Sequence, residues 1–213
     1  MRATLDRLHD RAFSAGYARV QRASEAAGMR AHRRALLADA AGTVVEPAAG
    51  TGLNLDHYGP RVDRVLLLDP SAAMRAELRG VLATRDDDRL AVADGTFERI
   101  PLPDAAVDVV VATFVLCSVA DPPGALREAA RVLRPGGRYL GLEHVRADRP
   151  HTARAQAAIA PAWRWMARGC RCDQDAVALL EASPLRIVER SPYRGPRQPW
   201  PVRPGVRIVA ERA

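Results

Sequence analysis

Three carboxylates stand where short apolar runs end: Glu46 after TVV, Asp69 after VLLL and Asp94 after LAVA. Glu46 opens the segment Glu46-Pro-Ala-Ala-Gly50-Thr-Gly52, which places an acid at a strand's carboxyl end and two glycines on the turn into a helix. Ligands of open α/β sheets bind at that end. Glycines let the backbone approach a ligand, and the helix N-terminus beyond them offers free N–H groups. A dinucleotide fingerprint requires a third glycine at position 55, which is Leu55, so a nicotinamide enzyme is not expected. Asp69, 23 residues after Glu46, is spaced to accept both hydroxyls of a ribose, and Asp94 to accept an adenine amino group. Each acid alone also fits a solvated strand-end cap, whereas three in register argue for one shared ligand. His144, at the end of a fifth apolar run, is the candidate proton acceptor. Its alternative is a histidine that only hydrogen-bonds the nearby backbone. Cys170-x-Cys172 lacks both the Cys-x-x-Cys spacing and the second pair of a structural zinc site, so no metal is expected.

The elements that position these residues follow from hydrophobic periodicity. Leu5, Leu8, Ala12 and Ala15 share a helical face, and a second Ala/Arg-rich helix runs to about Ala41, with Gly42 as its stop. Strands are then predicted at 43–46, 65–69, 90–94, 107–113 and 138–145, each a continuous apolar run as in a parallel sheet covered on both faces. Ser71 caps the helix after the second strand; Pro122 and Pro123 open the helix after the fourth, and Gly136-Gly137 closes it. Helices at about 152–168 and 173–182 interrupt the alternation before two final strands, RIVERS and VRIVAE, that form an antiparallel hairpin. The expected fold is a doubly wound, mostly parallel seven-stranded Rossmann-like α/β sheet. Its divisions are an N-terminal helical cap (1–41), a ligand-binding core (43–145), a helical segment (150–183) and the hairpin (185–213). In that segment Ile159, Trp163 and Met166 share one face, which fits either a core stripe or a lid with Trp163 lining a pocket.

With 213 residues, 48% hydrophobic and 27% charged, the chain can bury one full core. The longest nearly uncharged apolar stretch, 109–120, is too short for a membrane span, and the charged N-terminus does not suit a signal peptide, so a soluble cytoplasmic protein is expected. Net charge is +7 and every basic residue is arginine. These arginines are spread along the chain among acids, as in RDDDR at 85–89, which fits a solvated surface better than a nucleic-acid footprint. Three cysteines, an odd number, imply no disulfide framework.

The segments VVEPAAGTG, LLLDPSAAM, ADGTFERIPLPDAAVDVVVATFVL and REAARVLRPGGR resemble the class I S-adenosylmethionine-dependent methyltransferases over about 43–145. The resemblance implies S-adenosylmethionine as cofactor, with Glu46 facing the methionine ammonium and Ala48, Gly50 and Gly52 beneath the molecule. It further places Asp69 on ribose, Pro70 and Met74 beside the adenine ring, Asp94, Gly95 and Thr96 at its edge, and Thr113 and Tyr17 at the methionine end. The family usually has glycine where this chain has Ala48. TFVLCSV, RVLRPGG, EHV, PAW and GC carry a narrower resemblance to the methyltransferase-like small-thiol S-methyltransferases. It implies a small thiol or dithiol as acceptor, with Phe114, Cys117, His144 and Trp163 on the acceptor side. The competing readings are methylation of oxygen, carbon or nitrogen on a small metabolite, an RNA methyltransferase and a non-catalytic cofactor-binding module. No base-stacking aromatic–basic strand surface supports RNA, and neither nucleic acid nor membrane is an expected partner.

Overall fold

The computed structural model describes residues 19–213, so Tyr17 and the first predicted helix lie outside the described residues. A π-helical turn, Glu25–Met29, kinks at Gly28 (φ 128°) and leads into α1 (Arg30–Leu37), which ends five residues short of Gly42. Gly42 instead starts β1 (Gly42–Pro47) at φ 71°, where Asp108 presses so close that any Cβ would collide with its carboxylate. The next elements are β2 (Val62–Leu68), α2 (Ala72–Leu82), β3 (Leu90–Ala93), β4 (Val107–Thr113), α3 (Pro122–Val132) and β5 (Leu133–His144). They are followed by α4 (Pro150–Met166), α5 (Ala176–Glu181), β6 (Leu185–Arg194) and β7 (Pro204–Arg212).

The strands form one sheet in the order β3-β2-β1-β4-β5-β7-β6, with β7 antiparallel to both β5 and β6 and every other pairing parallel. The order of strand addition reverses between β1 and β4, and the carboxyl ends of these two parallel strands flank the crevice where open α/β sheets bind ligands. Leu36, Leu37 and Leu78 bring α1 and α2 onto one face of the sheet, while Leu126, Ala129, Ala176 and Leu180 bring α3 and α5 onto the other. Burial on both faces explains why the parallel strands read as unbroken apolar runs.

Capping follows the side chains. Ser71 Oγ accepts from the Met74 N–H, Asp121 from Gly124 and Asp175 from Ala178. The Asp175 cap moves the start of α5 three residues past the predicted 173. Gly136 and Gly137 do not end α3; they belong to a bulged start of β5, five residues earlier than expected, where Gly137 packs against the Arg134 and Asp108 carbonyls. Among the described residues, no helix is long and apolar enough to cross a membrane.

Candidate functional site

The turn after β1 holds one residue under strain. Ala48 sits at φ 55°, in the left-handed region where a Cβ costs ~1–2 kcal/mol, so alanine is held in the conformation that glycine would adopt freely. Gly50 (φ 56°) follows, and a Cβ built there would meet nothing within 4 Å, so its backbone borders open space. Asp69 ties this turn to the next. Its Oδ2 accepts the Gly50 N–H at 3.2 Å and its Oδ1 the Ser71 N–H at 2.8 Å, and although it is only 7% exposed each oxygen keeps a lone pair for a hydroxyl. Pro70 and Met74 flank it at the start of α2. Asp94, just past β3, has a side chain 74% exposed and pairs with Arg75 at 2.9 Å, and Arg75 also donates to the Asp69 carbonyl. Gly95 packs against Leu68 and Pro101, and Thr96 bridges to Arg99. These residues form one rim with open backbone and free carboxylate lone pairs, which suits a ribose and an adenine edge.

Beneath the rim lies a buried polar chain that the sequence did not disclose. Arg33 of α1 is 2% exposed; its Nε donates to Glu25 at 2.9 Å, and its Nη1 donates to Asn54 Oδ1 at 2.9 Å and to Thr113 Oγ1 at 3.1 Å. Asn54 Nδ2 in turn donates to Glu46 Oε1 at 2.7 Å, and the Tyr58 hydroxyl donates to Glu46 Oε2. Burial pushes the Glu46 carboxyl up, opposed by these two hydrogen bonds and by the Arg33 charge. Thr113, predicted at the methionine end, is therefore joined to Glu46 through Asn54.

Past Thr113 the chain turns at Phe114, which holds φ 58°, a strained value for a bulky residue. That turn stacks the Phe114 ring on His144, with centroids 4.6 Å apart and the ring planes inclined at 29°, and sets it beneath the Arg33 guanidinium at 5.4 Å. Burial lowers the His144 pKa from 6.5 to about 4, against a main-chain contact with Val202 that raises it. His144 Nδ1 is buried and has no hydrogen-bond partner. Its neighbour Glu143 points to the opposite face of the sheet. Oε1 of Glu143 accepts from the Leu116 N–H at 3.1 Å and the Val115 N–H at 3.4 Å, Oε2 has no partner, and burial raises this carboxyl to about 8. A carboxylic acid thus pins the turn that carries Phe114.

Helix α4 is fastened by Gln156, which is fully buried. Its amide donates to the Val145, Cys172 and Pro201 carbonyls and accepts from the Ala147 N–H at 2.8 Å. Ile159 and Trp163 pack inward against Cys117, Cys170, Cys172 and Val202, whereas Met166 is 50% exposed. The predicted three-residue stripe is therefore two residues wide, because α4 ends at Met166 and the chain turns inward again only at Ala167. The Cys117 and Cys170 sulfurs are 3.6 Å apart. A cleft of about 1210 Å³ opens beyond β5, lined by Arg146, Arg149, Tyr193, Arg194 and Trp200 among others. None of the predicted cofactor residues lines it.

The structure thus brings Glu46, Ala48, Gly50, Asp69, Asp94, Thr113, Phe114 and His144 to the carboxyl ends of β1 to β5. Arg33, Asn54, Tyr58, Glu143 and Gln156 escaped the sequence reading. An Asn and a Tyr at 8 and 12 residues after Glu46 were the available signal, while one buried arginine among 32 basic residues gave none.

Residues 45–141 match the methyltransferase domain family. Human thiol S-methyltransferase TMT1A is 33% identical over 168 residues, 77% of this chain and 68% of that protein, and human TMT1B is 34% identical over 169 residues, 76% and 68%. Among solved structures, geranyl diphosphate C-methyltransferase from Streptomyces coelicolor A3(2), in complex with Mg2+, geranyl diphosphate and S-adenosyl-L-homocysteine, superposes with a TM-score of 0.65 at 18% identity, covering 86% of this chain and 77% of that one. The sheet order and the carboxylate-and-glycine rim agree with these likenesses: the chain belongs to the class I S-adenosylmethionine-dependent methyltransferases.

Proposed function

We propose that this methyltransferase, whose cofactor is S-adenosylmethionine and whose acceptor is a small molecule, methylates the sulfur of a thiol. The observation that carries this reading is the similarity to the two human thiol S-methyltransferases along three quarters of the chain. Gly50 and Ala48 would lie under the cofactor, Asp69 would accept the ribose hydroxyls, and Asp94, Gly95 and Thr96 would border the adenine, with Pro70 and Met74 beside it. Gly52 holds the turn from below, where Leu55 and Leu78 leave no room for a Cβ. Glu46 and Thr113 serve the methionine end; Tyr17 remains the proposed partner there from the N-terminal segment.

Bound S-adenosylmethionine supplies an electrophilic methyl on a sulfonium. Transfer to a thiolate joins opposite charges and ends in a thioether and a neutral sulfide, so a dry, aligned pocket supplies most of the rate. Phe114 and the His144 ring form the apolar wall, and Trp163 closes the α4 side. A thiol must first lose its proton, and neutral His144, whose Nδ1 has no partner, is the proposed acceptor of the S–H hydrogen bond. With its pKa near 4, His144 orients the S–H more than it retains the proton, which passes on to solvent before the methyl is transferred.

The test is transfer of labelled methyl from S-adenosylmethionine to thiols, phenols, amines and RNA offered in parallel. Label in a thioether is the expected outcome. Label in a phenol, amine, carbon or RNA product with none in thioether would overturn it.

A further inference from the structure

Two of the three cysteines form a pair that methyl transfer does not use. Cys117, on the turn after β4, is 1% exposed, and Cys170, on the loop after α4, is 9% exposed, and their sulfurs are 3.6 Å apart. The backbones are already tied together. The Arg171 N–H donates to the Cys117 carbonyl at 2.9 Å, Gln174 Nε2 to the Leu116 carbonyl at 3.0 Å, and Arg171 Nη2 to the Val119 carbonyl at 2.9 Å. Forming a disulfide asks the two sulfurs to close from 3.6 Å to ~2.05 Å between segments already held together. Cys172 is differently placed, with its sulfur against the Gln156 carbonyl at 3.8 Å.

We infer that Cys117 and Cys170 are a redox-modification site, closed to an intramolecular disulfide by hydroperoxides, that locks the loop after α4 to the turn carrying Phe114. The two thiols are unequal in the way such chemistry needs. The neighbouring Cys117 thiol favours the Cys170 thiolate, and the Trp163 indole N–H, otherwise without a partner, adds to this effect. The same pairing, and then burial, push Cys117 up, and burial pushes Cys172 up to about 11. Cys170 is thus the attacking sulfur. Its thiolate attacks one peroxide oxygen, an S–O bond forms, the O–O bond breaks, and the departing hydroxide takes a proton to become water. Cys117 then gives up its proton and its sulfur attacks Cys170 Sγ, forming S–S and breaking S–O, and the second hydroxide leaves as water. Two thiols and one hydroperoxide, here hydrogen peroxide, yield one disulfide and two waters, a two-electron oxidation.

The sequence supplies a clean readout, because Arg171 separates Cys170 from Cys172 on tryptic cleavage. Reduced, folded protein is treated with a few equivalents of hydrogen peroxide, denatured, alkylated and digested with trypsin. The expected product joins peptide 100–127 to peptide 169–171 with loss of two hydrogens, while Cys172 in 172–186 is fully alkylated. A phosphine reductant returns all three cysteines to the alkylated form. Cys172→Ser retains the linked peptide; Cys117→Ser and Cys170→Ser lose it. Alkylation of both Cys117 and Cys170 after treatment, a link through Cys172, or sulfinic acid at Cys170 without a link would each overturn the assignment. Because no acceptor is involved, the result is independent of the thiol-methylation reading.

Discussion

Replacing Glu143 with Gln isolates the electrostatics of the turn that carries Phe114 and Cys117. Glu143 is fully buried, Oε1 holds two backbone N–H groups, Oε2 holds none, and burial raises the carboxyl from 4.5 to about 8. The folded protein keeps a proton there that the unfolded chain releases. Folding is therefore unpenalised by this group below pH 4.5 and loses stability as pH rises toward about 8. At ~1.4 kcal/mol per pH unit, the interval amounts to ~5 kcal/mol at alkaline pH and to ~3 kcal/mol at pH 7. Glutamine keeps an acceptor oxygen for Val115 and Leu116 and cannot ionise. Its NH2 enters the space of Oε2 without a partner, which costs ~1–3 kcal/mol at every pH. The informative quantity is thus the change in the difference between the two proteins, ~4 kcal/mol in favour of Glu143→Gln on going from pH 5 to pH 9. Urea unfolding of both proteins at pH 5, 7 and 9 measures it. A stability difference that does not move with pH would refute the buried neutral carboxyl.

Asp69→Ala should weaken S-adenosylmethionine binding by ~2–4 kcal/mol through lost ribose hydrogen bonds and a freed Gly50 turn, measured by calorimetry on a variant shown to be folded; unchanged affinity would remove the assignment. Arg33→Met should destabilise the fold by ~3–5 kcal/mol, because Glu25 and Glu46 then stay buried without a counter-charge, and a loss under ~1 kcal/mol in denaturant unfolding would contradict the network. Trp163→Ala should raise KM for an apolar thiol with little change in cofactor affinity; equal loss of stability and both affinities would assign Trp163 to the core alone. The parent rate should show no histidine limb between pH 6 and 7, since His144 titrates near 4, and His144→Ala should slow acceptors of high pKa most. A limb in that range that His144→Ala abolishes would show that cofactor or acceptor restores an ordinary histidine.

The strands were legible because burial on both faces leaves no polar alternation to confuse the pattern, as 107–113 demonstrates residue for residue. Ser71, Pro122 and Pro123 also marked their helix starts, because capping and N1 proline are local effects. The start of β5 was not legible: a Gly-Gly pair reads as a stop, and only the neighbouring β4 backbone turns it into a bulge. The buried chain under the cofactor rim was hidden for a related reason. Arg33 finds Asn54 and Thr113 at separations of 21 and 80 residues, and Cys170 finds Cys117 at 53, distances at which no local periodicity carries information. Ala48 is a different case. The family's usual glycine marks a position of positive φ, and Ala48 holds φ 55° there despite its Cβ.

The same buried chain explains how a site with few reactive side chains can favour a cationic ligand. Arg33 pairs directly with Glu25 at 2.9 Å and reaches Glu46 only through its field, so one of the two buried carboxyls is left unbalanced, and Glu46 is hydrogen-bonded by the neutral donors Asn54 and Tyr58. Its carboxyl is raised because burial outweighs those donors, so ionising it without a nearby cation is costly. On the proposed assignment, the methionine ammonium arrives beside Glu46 and supplies that missing charge. Cofactor binding then lowers the Glu46 pKa, and affinity strengthens as pH rises through the titration of the free site and levels off once Glu46 is ionised before binding. The strain at Ala48 and Phe114 fits the same account. Both residues are fixed at positive φ on either side of the polar chain, so the turns that border the ligand are set before it arrives, and the interaction with Glu46 is not spent on ordering them.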